Sequence, residues 1–170
     1  MARLIAKSPC AGLLPMTIGT LSLTEVAVGK AFAVAPFKRQ EKAVSDAMPI
    51  AFPKPNRVTG TDPRAIWIGP GQALVIGTDL PELPAAVVDQ SDSWAIVQVA
   101  GPDVLDVLAR LVPVDLRTMR SGQTARTMIA HMTGSVTKVG TQAFELMVMR
   151  SMAGTLVHDL ERAARIYFAR

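Results

Sequence analysis

Apolar and polar positions switch period several times along the chain, and each switch predicts an element. In "TEVAVGKAFAVAPF" Val26, Val28, Phe32 and Val34 fall on one alternating face, which predicts a strand. "FKRQEKAVSDAM" then places Phe37, Val44 and Met48 near one helical face, and Pro49 ends the helix. "FPKPNRVTGTDP" reads as loop. Two apolar runs around Gly69-Pro70-Gly71 read as a hairpin. "LPELPAAV" holds a short helical turn, and a strand runs from Trp94 to Val99. At Gly101-Pro102 the period changes again. Pro102 suits a first helical position, and Asp103 and Asp106 suit the helix dipole. Val104, Val107, Leu108 and Leu111 form the buried stripe, and Pro113 stops it. "TARTMIAHM" and "SVTKV" read as strands paired about Thr133-Gly134, with "AFELMVM" as a third. Ser151 is a candidate N-cap for a last helix. Leu156, Leu160, Ala163, Ala164 and Tyr167 are its apolar positions, and Glu161 and Arg165 pair on its exposed side. The order predicts an α+β fold, antiparallel β-sheets covered by helices.

Composition narrows this picture. Hydrophobic residues are 49% and charged residues 19% of 170, against about 25% charged in an average chain. The excess of apolar surface hints at a permanent partner. Residues 1–23 carry no element signal and are expected to be loosely ordered. Residues 24–170 are expected to form one α+β domain, with two sub-halves meeting near 79–90. Net charge is +4, and the basic excess lies in residues 1–60, with eight Lys/Arg against three Asp/Glu. Aromatics are only 5%, too few for base stacking, so nucleic acid is not expected as a partner. The single cysteine, Cys10, excludes a disulfide framework within the chain and suits a reducing, cytoplasmic setting. The uncharged run 8–24 is broken by Pro9, Gly12, Pro15 and Gly19, which makes it a poor membrane span and a poor secretion signal.

Few residues offer chemistry. His131 reads as a half-buried strand residue and His158 as a surface helix residue, with no partner in sequence for acid–base work. Asp89 and Asp92 in "DQSD" could form a carboxylate pair, but such residues bond local backbone in turns, and no third acidic ligand lies close. "IGPGQ" and "AGPD" match neither dinucleotide nor phosphate-loop spacing. Asp103 at the helix start would repel an anion, so Gly101-Pro102 reads as a corner of the fold. Arg117, Arg120 and Arg126 could clamp a carboxylate and are the candidate ligand-binding residues. Cys10 reads as inert. No catalytic residue and no metal site is expected.

Taken together, "WIGPGQALV" (67–75), "DQSDSWAIVQVAGPDVLDVLARLVPVDL" (89–116), "TART" with "AHMTG" (124–134) and "AFELMVMRSMAGTLVHDLERA" (143–163) resemble the gamma subunit family of heterotetrameric sarcosine oxidase. "PFKRQEKAVSDAM" and "FPKPNR" are similar to that family's early helix and loop, so the resemblance runs from about Thr24 to near the C-terminus. The resemblance implies a fold like the folate-binding, aminomethyltransferase-like glycine-cleavage T-protein. It implies a non-catalytic gamma subunit with a structural role in a bacterial-type complex that oxidatively demethylates sarcosine, in one-carbon metabolism. The partners implied are alpha, beta and delta subunits. FAD, FMN, NAD, tetrahydrofolate and zinc would sit on those subunits, with no cofactor bound here. An isolated chain would self-associate through its uncovered apolar surface. The alternative is a stand-alone folate or small-acid binding protein. Arg117, Arg120 and Arg126 would then hold the acid, and Glu145 or Asp89 a pterin ring. Fold alone does not choose between the two.

Overall fold

The computed structural model describes residues 5–169. In chain order the strands are β1 (Met16–Ile18), β2 (Leu21–Val26), β3 (Ala31–Pro36), β4 (Val58–Gly60), β5 (Arg64–Gly69), β6 (Gln72–Ile76), β7 (Ala85–Asp89), β8 (Trp94–Ala100), β9 (Thr124–Ile129), β10 (Met132–Gly140) and β11 (Ala143–Met149). The helices are α1 (Glu41–Ala47), α2 (Val104–Leu108) and α3 (Ala153–Phe168). The strands form a six-stranded sheet, β1-β2-β8-β11-β10-β9, and a five-stranded sheet, β4-β5-β6-β3-β7. All neighbours are antiparallel. The α+β expectation holds.

The chain leaves the first sheet after β2, builds the whole second sheet, and returns at β8. A single division near 79–90 therefore does not describe it. The long alternating run 24–37 is two strands, one in each sheet, because Gly29 adopts φ +59 and turns the chain between them. Nor is the stretch from Cys10 to Leu23 loose. Cys10, Ile18, Leu21 and Leu23 are buried in the main core, and β1 pairs with β2. Ile18, Leu21 and Leu23 lie past Pro15, so the prolines do not interrupt the paired strands. Residues 1–4 of that expected segment lie outside the described residues.

Alternation sorts side chains into layers. On β8, Ala95, Val97 and Val99 point to α2 and α3 and join Phe144, Leu146, Leu156 and Leu160 in the largest core. Trp94 and Ile96 point the other way and meet Ile66 and Leu74 of the second sheet. The outer face of that sheet buries Val34, Ala65 and Val75 against Val44 of α1 and Met48 just after it. The layers run helices, first sheet, second sheet, helix.

Several local expectations are corrected. "LPELPAAV" holds no helical turn, and its last residues enter β7, where Val87 and Val88 pair with β3. The β9–β10 turn falls at Ala130-His131, with Ala130 at φ +50, not at Thr133-Gly134. Gly134 lies inside β10, where a Cβ would come 2.6 Å from the Met147 carbonyl oxygen. The helix after Gly101 is only one short turn and lacks a side-chain cap. Helix α3 starts at Ala153 behind a 3₁₀ turn, so Ser151 does not cap it. The hairpin about Gly69-Pro70-Gly71 is as expected. No helix among the described residues is long and apolar enough to cross a membrane.

Candidate functional site between the sheets

The inward face of the first sheet changes character along its strands. Near Trp94, Ile96 and Met147 it is apolar. One step further it becomes a polar row that crosses four strands in register. Gln98 on β8 pairs with Glu145 on β11, Glu145 with Thr137 on β10, and Thr137 with Thr124 on β9. Thr137 donates its hydroxyl to Thr124 Oγ1 at 2.9 Å, and Thr124 donates to the Val136 carbonyl at 3.3 Å. Three of these four, Glu145, Thr137 and Thr124, are buried.

The second sheet answers this row with one cation. On β5, Arg64 shares the inward face with Ile66 and Ile68. Its guanidinium Nη1 lies 2.7 Å from Glu145 Oε2, with the two side chains only 13% and 8% exposed. The contact joins opposite charges without hydrogen-bond alignment, and Oε2 is left with no hydrogen-bond donor. A buried carboxylate oxygen in that state is unusual, because desolvation is costly unless it is offset by hydrogen bonds. Arg64, Glu145, Gln98, Thr61 and Ser121 line a cleft of about 420 Å³. Lys138 also lines it. Its ammonium lies on the helix side, donating to the Met119 carbonyl at 2.8 Å and standing 5.5 Å from the Phe144 ring centre.

The arginines singled out in the sequence have separate settings. Arg117 makes a two-point pair with Asp115, at 2.8 and 3.0 Å. That partner holds the Asp115 carboxyl below its usual range. Arg120 is exposed, and its backbone N–H donates to Gln123. Arg126 lies 5.7 Å from the Trp94 ring centre, a cation–π contact. No common partner draws the three together.

Asp89 accepts hydrogen bonds from the Ser91 hydroxyl and backbone N–H, which hold its carboxyl below the ordinary value. It is the turn residue expected. Asp92 points to solvent, 3.7 Å from Arg150. Among the described residues no group of three His, Cys, Asp or Glu is placed to hold a metal ion. His131 is not a half-buried strand residue but sits exposed in the turn, with Nδ1 4.0 Å from Asp159 Oδ2. His158 is exposed on α3, as expected. Burial, followed by the nearby Glu25 carboxylate, pushes the Cys10 thiol up to about 11. Gly101 is a corner. It has φ +146, and a Cβ there would come 2.3 Å from the Thr20 carbonyl oxygen. Asp103 accepts from Thr20 and Tyr167, which ties the corner to β2 and α3 rather than to an anion.

Sequence reasoning named Glu145 but not Arg64. The signal for Glu145 is a lone acid inside the apolar run "AFELMVM". Arg64, beside the loop-like "TGTDP", carries no comparable signal, because only the topology of the second sheet brings it opposite Glu145.

The fold is shared with two solved proteins. One is a chain of heterotetrameric sarcosine oxidase from Corynebacterium sp. U-96, solved in complex with pyrrole 2-carboxylate. It aligns with a TM-score of 0.81 at 21% identity, over 95% of this chain and 96% of that one. The other is the glycine cleavage system aminomethyltransferase T from Bartonella henselae. It aligns with a TM-score of 0.61 at 14% identity, over 85% of this chain and 46% of that one. This chain thus spans under half the length of the aminomethyltransferase. No protein-family model matches the sequence, and no curated protein sequence does either.

Proposed function

We propose that the chain is a gamma-type, non-catalytic subunit of a heterotetrameric sarcosine oxidase, serving assembly of a complex that oxidatively demethylates sarcosine. The observation that carries this reading is the mutual coverage, 95% of this chain on 96% of a chain of such a complex. The match takes in nearly the whole of that chain, whereas the aminomethyltransferase carries the fold in about half of a longer one. The side chains that could do chemistry also have structural occupations. Asp103 ties the Gly101 corner to Tyr167, Asp89 shapes a turn, and Cys10 is buried and held protonated. In this reading flavins, NAD, tetrahydrofolate and zinc are held by the partner subunits, and the protein works in the cytoplasm.

The test is a gentle pull-down of the tagged chain from its native host, with mass spectrometry and an absorbance scan. Large flavin-coloured subunits recovered in near-equal amounts are the expected result. A colourless protein recovered alone, or only with itself, overturns the proposal.

A further inference from the structure

We propose that the cleft between the sheets binds a small zwitterion, an α-amino acid whose ammonium meets Glu145 and whose carboxylate meets Arg64. This inference stands independently of the subunit reading. Glu145 Oε2 is buried, negative and without a donor. Arg64 Nη1 stands 2.7 Å from it as an ion pair that leaves Oε2 without a hydrogen-bond donor, and the guanidinium carries five N–H donors. An acceptor-only group from one sheet and a donor-only group from the other therefore meet at the lining of a 420 Å³ space, each with unused capacity.

Charge selects the ligand class. The two charges facing the cleft cancel, because the Lys138 ammonium is engaged on the helix side. A simple cation or anion would leave one buried charge uncompensated, which is strongly unfavourable. A molecule carrying both signs on neighbouring atoms leaves the cleft neutral. It also gives Oε2 a charged N–H donor and gives the guanidinium a carboxylate, the partner its planar fork suits best. Gln98, Thr61 and Ser121 can bond the remaining polar atoms, while Val58, Val139 and Ala143 line room for a short apolar side chain.

The experiment is a titration of the isotope-labelled full chain with L-valine, followed by amide NMR shifts. Isobutylamine and 3-methylbutyrate serve as matched probes lacking the carboxylate or the ammonium. Saturable shifts at Gly60, Thr61 and Gly122 are expected with L-valine, at a Kd of roughly 1 mM. Each half-probe should bind at least tenfold more weakly, and Arg64→Met should abolish the shifts. Should Arg64→Met fail to fold, Ser121→Trp fills the cleft from an exposed position and should abolish them in a folded protein. Absence of saturable shifts up to ~10 mM valine overturns the proposal. So does equal binding by either half-probe, or unchanged binding in Ser121→Trp.

Discussion

The two faces of the first sheet are made from the same four strands, yet they are held by different physics. One face is mostly apolar, with Val97, Phe144, Leu146 and Val136 fully buried beneath α2 and α3 and Lys138 at its margin. The other begins apolar at Trp94, Ile96 and Met147 and then turns polar along Gln98, Glu145, Thr137 and Thr124. The first face is stabilised by area removed from water and by close packing, which are non-directional. The second depends on partners, because each buried polar atom there is costly unless another group answers it. An apolar face tolerates a helix in any of several registers. A face with one buried carboxylate accepts only a neighbour that brings a cation to that spot. Arg64 therefore specifies how the sheets meet as much as it holds them together.

The largest effect should come from the apolar face. Phe144→Ala removes the largest fully buried side chain under the helices and should cost about 3–5 kcal/mol, measured by urea unfolding. A loss below about 1 kcal/mol would show that this layer can collapse around the gap and is not the main support.

On the polar face, Glu145→Gln leaves Arg64 buried beside a neutral group and should cost about 3 kcal/mol. The joint replacement Arg64→Met with Glu145→Leu should recover most of that loss, since well-packed apolar residues often replace a buried pair without penalty. Recovery would identify the pair as a device of specificity. A double variant as unstable as Glu145→Gln would instead make the pair a net source of stability.

The apolar layer also excludes charge, and pH exposes this at Cys10. Its thiol is raised to about 11 from an ordinary 9.0, first by burial and then by Glu25. A raised pKa means that the folded state holds its proton more tightly than the unfolded chain. Its contribution is complete below about 9 and is lost as pH rises toward about 11. Cys10→Ala should therefore lose less stability than the native chain between pH 8 and pH 10.5, by urea unfolding at each pH. Equal slopes would place the thiol in contact with water. At pH 8 the native thiol should also resist alkylation until the protein is unfolded.

The apolar face was far more legible in the sequence than the polar one. Periodicity marked Val104, Val107 and Leu108 on α2, and Leu156, Leu160 and Ala164 on α3, because each helix buries a single stripe. Strands β8 and β11 announce themselves as apolar runs, and Gly101 reads correctly as a corner. What alternation does not encode is which sheet a strand joins. The run 24–37 looks like one strand, yet β2 and β3 belong to different sheets, so the insertion of the second sheet is invisible locally. The polar row needs four strands in register and a fifth from the opposite sheet, and none of these pairings is local. Arg117, Arg120 and Arg126 stood out because they are close in sequence, whereas Arg64 and Glu145 matter because they are close in space. The same holds for His131 and Asp159, which a turn and a helix bring within 4.0 Å.

The smallest effect sharpens the contrast between a buried pair and an exposed one. Glu161 and Arg165 are four residues apart on α3, with Arg165 Nε donating to Glu161 Oε1 at 2.8 Å. That distance is close to the 2.7 Å of Arg64 and Glu145, and its hydrogen-bond geometry is better. By contact length the two pairs should be equivalent. They differ in water, since the Arg165 side chain is 66% exposed and the Arg64 side chain 13%. An exposed pair has solvent to replace a lost partner and is screened by salt. Glu161→Gln should therefore cost only about 0.3–0.5 kcal/mol, and ~0.5 M salt should shrink even that difference. The cost of Glu145→Gln should change little with salt, because few counterions reach the space between the sheets. Equal salt sensitivity in the two variants would mean that the cleft is as wet as the helix surface. The ion pair would then align the sheets no more strongly than Glu161 and Arg165 brace α3.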